Sequence, residues 1–366
     1  NLTNAVRCRQ ELVQRGCLFQ STSDTEIIVH LIAISLYSTV VDRLIDALRQ
    51  VEGAYSLVAM TQKKLIGVRD PRGVRPLVLG KLDSAYILAS ETCALDIIDA
   101  EFIRDVEPGE IVVIDNDGIQ SIKPFAKLKD RFCIFEYIYF ARPDSMMEGK
   151  NVYEVRKRIG AELAKEKHVP ADLVVPVPDS GVPAAIGYAE ESKIPFDLGI
   201  IRNHYTGRTF IEPSAEIRNL GVRLKHNANS AYLAGKRVIL VDDSIVRGTT
   251  SKKIVSMVRA AGAAEVHMRV SSPPISDSCY YGIDTPTKDE LLASKYTIEE
   301  MAELIGVDTL AYITPDGLYK AVCGEARIQD EPQFCDACFT SAYPIPITDH
   351  DDGLNPSQLS LLAEVD

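Results

Sequence analysis

The feature that most constrains this chain is the run at 238–250, VILVDDSIVRGTT: four apolar residues, two adjacent acids, then small residues and a glycine leading into helical periodicity. Val238, Ile239, Leu240 and Val241 read as a parallel strand covered on both faces, so Asp242 and Asp243 emerge at its carboxyl end. Open α/β sheets bind ligands at that end. Ser244, Ile245, Val246, Arg247, Gly248, Thr249 and Thr250 then turn into a helix over 251–261, offering N–H groups, hydroxyls and a positive helix end to a phosphate. The two carboxylates suit vicinal sugar hydroxyls or Mg²⁺. Either acid alone would serve as an ordinary helix cap; the order of the whole run favours a phosphorylated sugar.

A chain of 366 residues with 46% hydrophobic content has enough apolar material for two domains. Its net charge of −12 argues against a general nucleic-acid or membrane-surface role, although a polyphosphate needs only a local cluster of cations. No apolar run approaches a membrane span and the first ten residues lack a signal-peptide core, so the reading is intracellular. Eight cysteines are too sparse for a disulfide scaffold. Cys335 and Cys338 form a CxxC which, taken alone, fits a redox pair, half of a zinc site or two small core residues.

Apolar spacing predicts helices over 4–15, 24–36 and 41–51, then strands over 55–60, 64–69, 76–80, 85–90 and 111–115, an α+β block ending near 123. Strands and helices alternate beyond it: helix 151–167, strand 173–177, helix 184–191, strand 196–201, the opening motif, strand 265–270, and helices over 297–305 and 318–322. That rhythm predicts an α/β domain over 124–347 built on a parallel sheet. The polar, acidic stretch 348–366 reads as a mobile tail.

A second anion loop is suggested where the strand at 173–177 runs into Pro178, Asp179, Ser180 and Gly181, whose glycine lets backbone amides approach a ligand. An ordinary βα turn is the plainer reading; its place one unit ahead of Asp242 reverses that preference. Between the loops, 201–225 is long, irregular and rich in cations: Arg202, His204, Arg208, Arg218, Arg223 and Lys225. It fits either a lid that closes over a polyphosphate or a solvated basic loop.

The run at 238–250 resembles the signature of type I phosphoribosyltransferases, and the loop at 178–181 their pyrophosphate loop. FEYIYFARPDS at 135–145, RTFIEP at 208–213 and SSPP at 271–274, with STSDTE at 21–26, EGAYS at 52–56 and RDPRGVRPL at 69–77, narrow the resemblance to the glutamine phosphoribosylpyrophosphate amidotransferase family. The resemblance implies an N-terminal-nucleophile glutaminase domain of αββα layers, which releases ammonia, ahead of a phosphoribosyltransferase domain that adds it to C1 of the sugar. It implies that Asp242 and Asp243 hold the ribose hydroxyls and Mg²⁺, that residues 244–250 hold the 5′-phosphate, and that Asp179, Ser180 and Gly181 meet pyrophosphate, Ser180 also meeting Mg²⁺. Arg202 and Lys225 would clamp pyrophosphate under the lid. Asp24 would bind the α-amino group of glutamine; locally it reads equally well as a helix cap.

In one branch of the family a [4Fe–4S] cluster is held at positions matching Cys133, Cys279, Cys335 and Cys338, with a structural role expected here; zinc in a Cys₄ site is the inorganic rival. Inhibition by AMP and GMP, a homotetramer and a cytoplasmic location, or the plastid stroma in a plant, are further implications. The sequence starts NLTN, after the position of the family's cysteine nucleophile and Asn-Gly oxyanion pair, and Cys8 and Cys17 match no nucleophile position. The expectation is an N-terminally truncated form without glutamine hydrolysis that retains ammonia-dependent phosphoribosylamine synthesis. His226 stands where the family usually has an apolar residue. A nucleobase phosphoribosyltransferase and a non-catalytic phosphoribosyl-pyrophosphate sensor are the alternatives.

Overall fold

The computed structural model describes residues 1–203 and 226–351. The first part runs α1 (Ala5–Gln14), α2 (Thr25–Ile34), α3 (Val40–Leu48), β1 (Ser56–Met60), β2 (Leu65–Arg69), β3 (Val78–Leu82), β4 (Ala85–Ala89), α4 (Thr92–Asp96), β5 (Glu101–Asp105), β6 (Ile111–Asp115) and β7 (Gly118–Ile122). Two antiparallel sheets form, in the orders β1-β2-β6-β7 and β4-β3-β5. The period-two alternation of β6 explains why they stack. Ile111 and Val113, with Ile66 and Val68, join Leu12, Ile27, Leu31, Leu44 and Leu48 of the helices in one core. Val112 points the other way, onto Leu77, Leu79 and Val106. On the far side of the second sheet, α4 sets Leu95 against β3 at Gly80. Helices, sheet, sheet and a short helix therefore follow one another, the αββα order.

The second part runs β8 (Met146–Met147), β9 (Lys150–Asn151), α5 (Val152–Glu166), β10 (Leu173–Pro176), α6 (Val182–Ser192), β11 (Ile200–Arg202), β12 (His226–Ala228), α7 (Ser230–Leu233), β13 (Arg237–Asp242), α8 (Thr249–Ala260), β14 (Glu265–Val270), α9 (Ile298–Ile305), β15 (Thr309–Tyr312), α10 (Pro315–Cys323), α11 (Ala337–Thr340) and α12 (Thr348–Asp351). Its parallel sheet has the order β10-β13-β14-β15. Alternation again sorts the side chains. Val174, Ile239 and Val241 pack towards α5, α6 and α10, while Leu173, Val175, Leu240, Met268 and Val270 pack towards α8 and α9. A sheet buried on both faces needs such continuously apolar strands.

The structure differs from the sequence reading in definable places. Strands β5 and β7 carry exposed residues and lack apolar alternation, so their pairing with β3 and β6 supplies what their patterns do not. The strand expected over 196–201 is divided into a single parallel bridge between Phe196 and Val174 and the short β11. A mobile tail is expected from Thr348, yet Thr348–Asp351 forms a helical turn whose Asp349 carboxylate accepts from the Val6 and Arg7 amides at 2.7 and 3.1 Å. It caps α1, whose own Asn4 side chain is bonded to Gln50 and Glu52 instead.

Helices α5 and α6 cross at glycines. A Cβ on Gly187 would lie 1.9 Å from the Lys157 carbonyl oxygen, and one on Gly160 would lie 1.8 Å from that of Ala184. Both clashes are with backbone, so neither helix relieves them by a rotamer change. Gly187→Ala is expected to lower stability by at least about 2 kcal/mol, measured by denaturant or thermal unfolding. An unchanged melting temperature would show that the helices have room to separate.

Candidate active site

The carboxyl end of β13 places Asp242 and Asp243 in the interior, each 7% exposed. Burial, then repulsion from Asp243, pushes the Asp242 carboxyl well above the ordinary carboxylate range. The Asp243 amide donates to Asp242 Oδ1 at 2.9 Å and Ser244 Oγ donates to Asp243 Oδ2 at 2.6 Å. Ser271 fixes the strand end by donating its amide and hydroxyl to the Asp242 carbonyl. Among the described residues neither carboxylate has an ion-pair partner.

The loop that follows is shaped by two anchors. Ile245 is buried in the core with Ile254 and Val255, leaving its backbone to the loop. The Val246 carbonyl accepts from the Leu292 amide at 2.9 Å, and Arg247 reaches outward to Glu290, also at 2.9 Å. Gly248 adopts φ 73°, a left-handed conformation that calls for glycine. Thr249 and Thr250 open α8, whose first turn has no acidic residue and no side-chain cap. Its amides remain available to an anion.

One strand away, the loop after β10 reaches the same edge. Gly181 crosses the end of β13 so closely that a Cβ would lie 2.4 Å from the Val241 carbonyl oxygen, and the Pro178–Asp179 peptide is cis. Ser180 donates its hydroxyl to Asp243 Oδ1, joining the two loops. Asp179 forms an ion pair with Arg202 of β11. Across the β11–β12 pair Arg202 faces His226, which is 6% exposed with Nε2 3.4 Å from the Pro178 carbonyl oxygen. The base of the cationic segment is thus clasped to the second loop. Lys225, with His204, Arg208, Arg218 and Arg223, lies outside the described residues.

Asp24 does not cap α2. Its Oδ2 accepts from the Leu2 amide at 2.9 Å, and the residue lines a cavity of about 380 Å³ together with Tyr55, Ser56, Arg75, Glu91 and Glu136. Glu136 and Phe140 reach that cavity from a π-helical turn, Glu136–Phe140, in the segment between the two sheet systems. Arg75 and Glu136 stand in the strings RDPRGVRPL and FEYIYFARPDS among other charged residues, so no local signal singles them out as lining a cavity.

The four cysteines at 133, 279, 335 and 338 line one small, largely apolar pocket, although they come from three distant segments. Backbone bonds hold the segments: the Ile134 amide donates to the Cys335 carbonyl at 3.1 Å, the Cys335 amide to the Phe132 carbonyl at 2.9 Å, and the Ser276 and Asp277 amides to the Cys338 carbonyl. All four are free thiols. Burial pushes the Cys133 thiol up to about 12 and, with the neighbouring cysteines, raises Cys335 and Cys338 well above the ordinary range. Among the described residues no three His, Cys, Asp or Glu side chains converge closely enough to hold one metal ion. Cys8 is buried against the helices of the first core, its thiol raised by burial to about 11. Among the described residues no helix is long and apolar enough to cross a membrane.

Comparison with known proteins places this geometry. Residues 1–96 match the family described as "Glutamine amidotransferase domain" and residues 149–276 the "Phosphoribosyl transferase domain". The chain is 57% identical over 369 residues to an amidophosphoribosyltransferase of Rhizobium etli, covering 99% of this chain and 74% of that protein. It is 51% identical to amidophosphoribosyltransferase 1, chloroplastic, of Arabidopsis thaliana, covering 95% of this chain and 61% of the plant protein. The structure superimposes with a TM-score of 0.88 on the glutamine phosphoribosylpyrophosphate amidotransferase of B. subtilis complexed with ADP and GMP, at 48% identity over 95% of this chain and 76% of that one. With an amidotransferase domain and a phosphoribosyltransferase domain in one chain, neither the nucleobase transferase nor the sensor reading is favoured. The chain belongs to the amidophosphoribosyltransferase family, pentosyltransferases of purine biosynthesis.

Proposed function

We propose that the site at the ends of β10 and β13 binds Mg²⁺ and phosphoribosyl pyrophosphate and transfers ammonia, derived from glutamine, to C1 of the sugar. The observation that carries this reading is the Ser180–Asp243 hydrogen bond, which makes one site of two loops far apart in sequence. Asp242 and Asp243 accept from the ribose hydroxyls and face Mg²⁺; two buried carboxylates without a cation partner suit a hard cation with oxygen ligands. Residues 244–250 offer hydroxyls and amides to the 5′-phosphate. Ser180, with the backbone of Asp179 and Gly181, meets Mg²⁺ and pyrophosphate. In the transfer, the nitrogen lone pair forms a bond to C1 while the C1–O bond to pyrophosphate breaks. The bonding pair leaves with pyrophosphate and a proton leaves nitrogen for solvent. Arg202, exchanging Asp179 for pyrophosphate, offsets the charge growing on the leaving group, with Lys225 as its partner in that role. Asp24 takes the α-amino group of glutamine in the cavity it lines.

Cys133, Cys279, Cys335 and Cys338 suit a [4Fe–4S] cluster, since four free thiols, the normal complement of such a cluster, share one buried pocket. When bound, a cluster held by these four cysteines would cross-link the connecting segment to the C-terminal region rather than supply chemistry at the sugar. A relative whose structure is complexed with ADP and GMP supports purine nucleotides as regulators. A homotetramer in the cytoplasm, or in the stroma of a plastid, completes the proposal.

The direct assay is pyrophosphate release from phosphoribosyl pyrophosphate with Mg²⁺, comparing ammonium, glutamine and free nucleobases. Ammonium-dependent turnover is expected, and turnover with a base alone would refute the reading. Asp243→Asn keeps the size of the side chain and removes its charge; kcat/KM for phosphoribosyl pyrophosphate is expected to fall by about 10²-fold with the fold retained by circular dichroism. Cys338→Ser, purified without oxygen, is expected to lose bound iron and melt at a lower temperature. A variant that kept the parent's melting temperature would contradict the structural role.

A further inference from the structure

Arg75 belongs to two pockets at once. Its loop is held by Arg69, 1% exposed, whose Nε donates to the Arg75 carbonyl at 2.9 Å while its other nitrogens reach the Val106 and Gly73 carbonyls. The Arg75 backbone is therefore fixed. On one side, Nη2 lies 3.0 Å from Glu136 Oε1 and Cζ lies 5.0 Å from the centre of the Phe140 ring, both residues being walls of the cavity beside Asp24. On the other side Arg75 lines the pocket of the four cysteines, where it is the one cation among the described lining residues. Its Nη1 is buried and has no hydrogen-bond partner among the described residues. A buried guanidinium N–H without an acceptor is costly.

We infer that Arg75 is the counter-charge and hydrogen-bond donor of the group held by Cys133, Cys279, Cys335 and Cys338, and that through Glu136 it ties the charge of that pocket to the wall of the Asp24 cavity. The inference rests on the reading of the pocket as an iron–sulfur site. Four thiolates leave such a cluster with net negative charge, and a donor or cation beside the sulfurs favours its reduced form. Arg75 Nη1 supplies both, while Nη2 remains on Glu136. Arg75 thereby acts as a positioning residue. A change of charge among the cysteines alters its pull on Glu136, and Glu136, 3% exposed, has little water to take its place.

The test uses the full chain purified without oxygen, with Arg75→Gln, Arg75→Lys and Glu136→Gln. Iron and acid-labile sulfide are counted, iron retention is followed against a chelator, and the midpoint potential is read by electron paramagnetic resonance during titration with dithionite. Arg75→Gln is expected to retain iron at least about tenfold more weakly and to shift the midpoint to lower potential; Arg75→Lys should fall between it and the parent. Glu136→Gln should shift the midpoint upward, because the carboxylate no longer offsets the guanidinium. General loosening of the region would move both variants the same way, so shifts of one sign, or none, in folded and loaded protein would overturn the inference. Should Arg75→Gln fail to hold iron, Arg75→Lys and Glu136→Gln decide the sign between them. A parent chain free of iron and sulfide would refute the cluster reading and this inference with it, whereas a loaded parent with unshifted variants would refute the inference alone.

Discussion

The parallel pairing of β10 with β13, in register from Leu173 opposite Val238 to Pro176 opposite Val241, is the constraint on which the rest of the site depends. Because the strands run in the same direction, both loops leave the sheet at one edge. The close passage of Gly181 over the Val241 carbonyl then brings Ser180 to Asp243. A one-residue slip would turn every apolar side chain of β10 to the opposite layer, so the same burial that stabilises the sheet also fixes the distance between the loops. The geometry of the candidate site is a by-product of core packing.

The two sheet systems are joined by more than a linker. Phe132, Ile134, Phe135, Tyr137 and Ile138 enter the core shared by α5, α6 and α10. The π-helical turn among them is held by Arg156 of α5, 4% exposed, which donates to the Tyr137 and Ala141 carbonyls at 2.9 and 2.7 Å. Burial lowers the affinity of Arg156 for its proton, yet carbonyls at these distances keep the guanidinium solvated by protein. That arrangement sets Glu136 and Phe140 into the cavity beside Asp24, so a buried arginine of the transferase half shapes a wall facing the amidotransferase half. The C-terminal turn does the reverse, with Asp349 capping α1 from the far end of the described chain.

Ion pairs at the edges have a smaller part. Arg237 with Asp172, and Arg259 with Asp308, are partly exposed and contribute little to stability, though each fastens a strand start. The buried pair of Arg327 and Asp336 is different. It lies beside Tyr319 and just ahead of Cys338, and it shapes the chain that carries the CxxC.

Local pattern alone determined the helices of the first layer, the strands β1 to β4 and β6, the alternation from α5 onward, and the strand–acid–acid–glycine run of the loop after β13. Each is written in residues close in sequence, by a period of 3.6 or two or by a residue such as Gly248 that a particular backbone conformation requires. Tertiary structure decided what local pattern cannot carry. Strands β5 and β7 exist because β3 and β6 offer unpaired edges. Asp24 faces a cavity instead of capping α2 because the Leu2 amide takes its oxygen. The tail begins as a helical turn because α1 has amides to be capped. Cys133, Cys279, Cys335 and Cys338 share a pocket because three segments, up to some two hundred residues apart, pack on one core. Periodicity reports which face a residue presents; only the folded chain decides what meets that face.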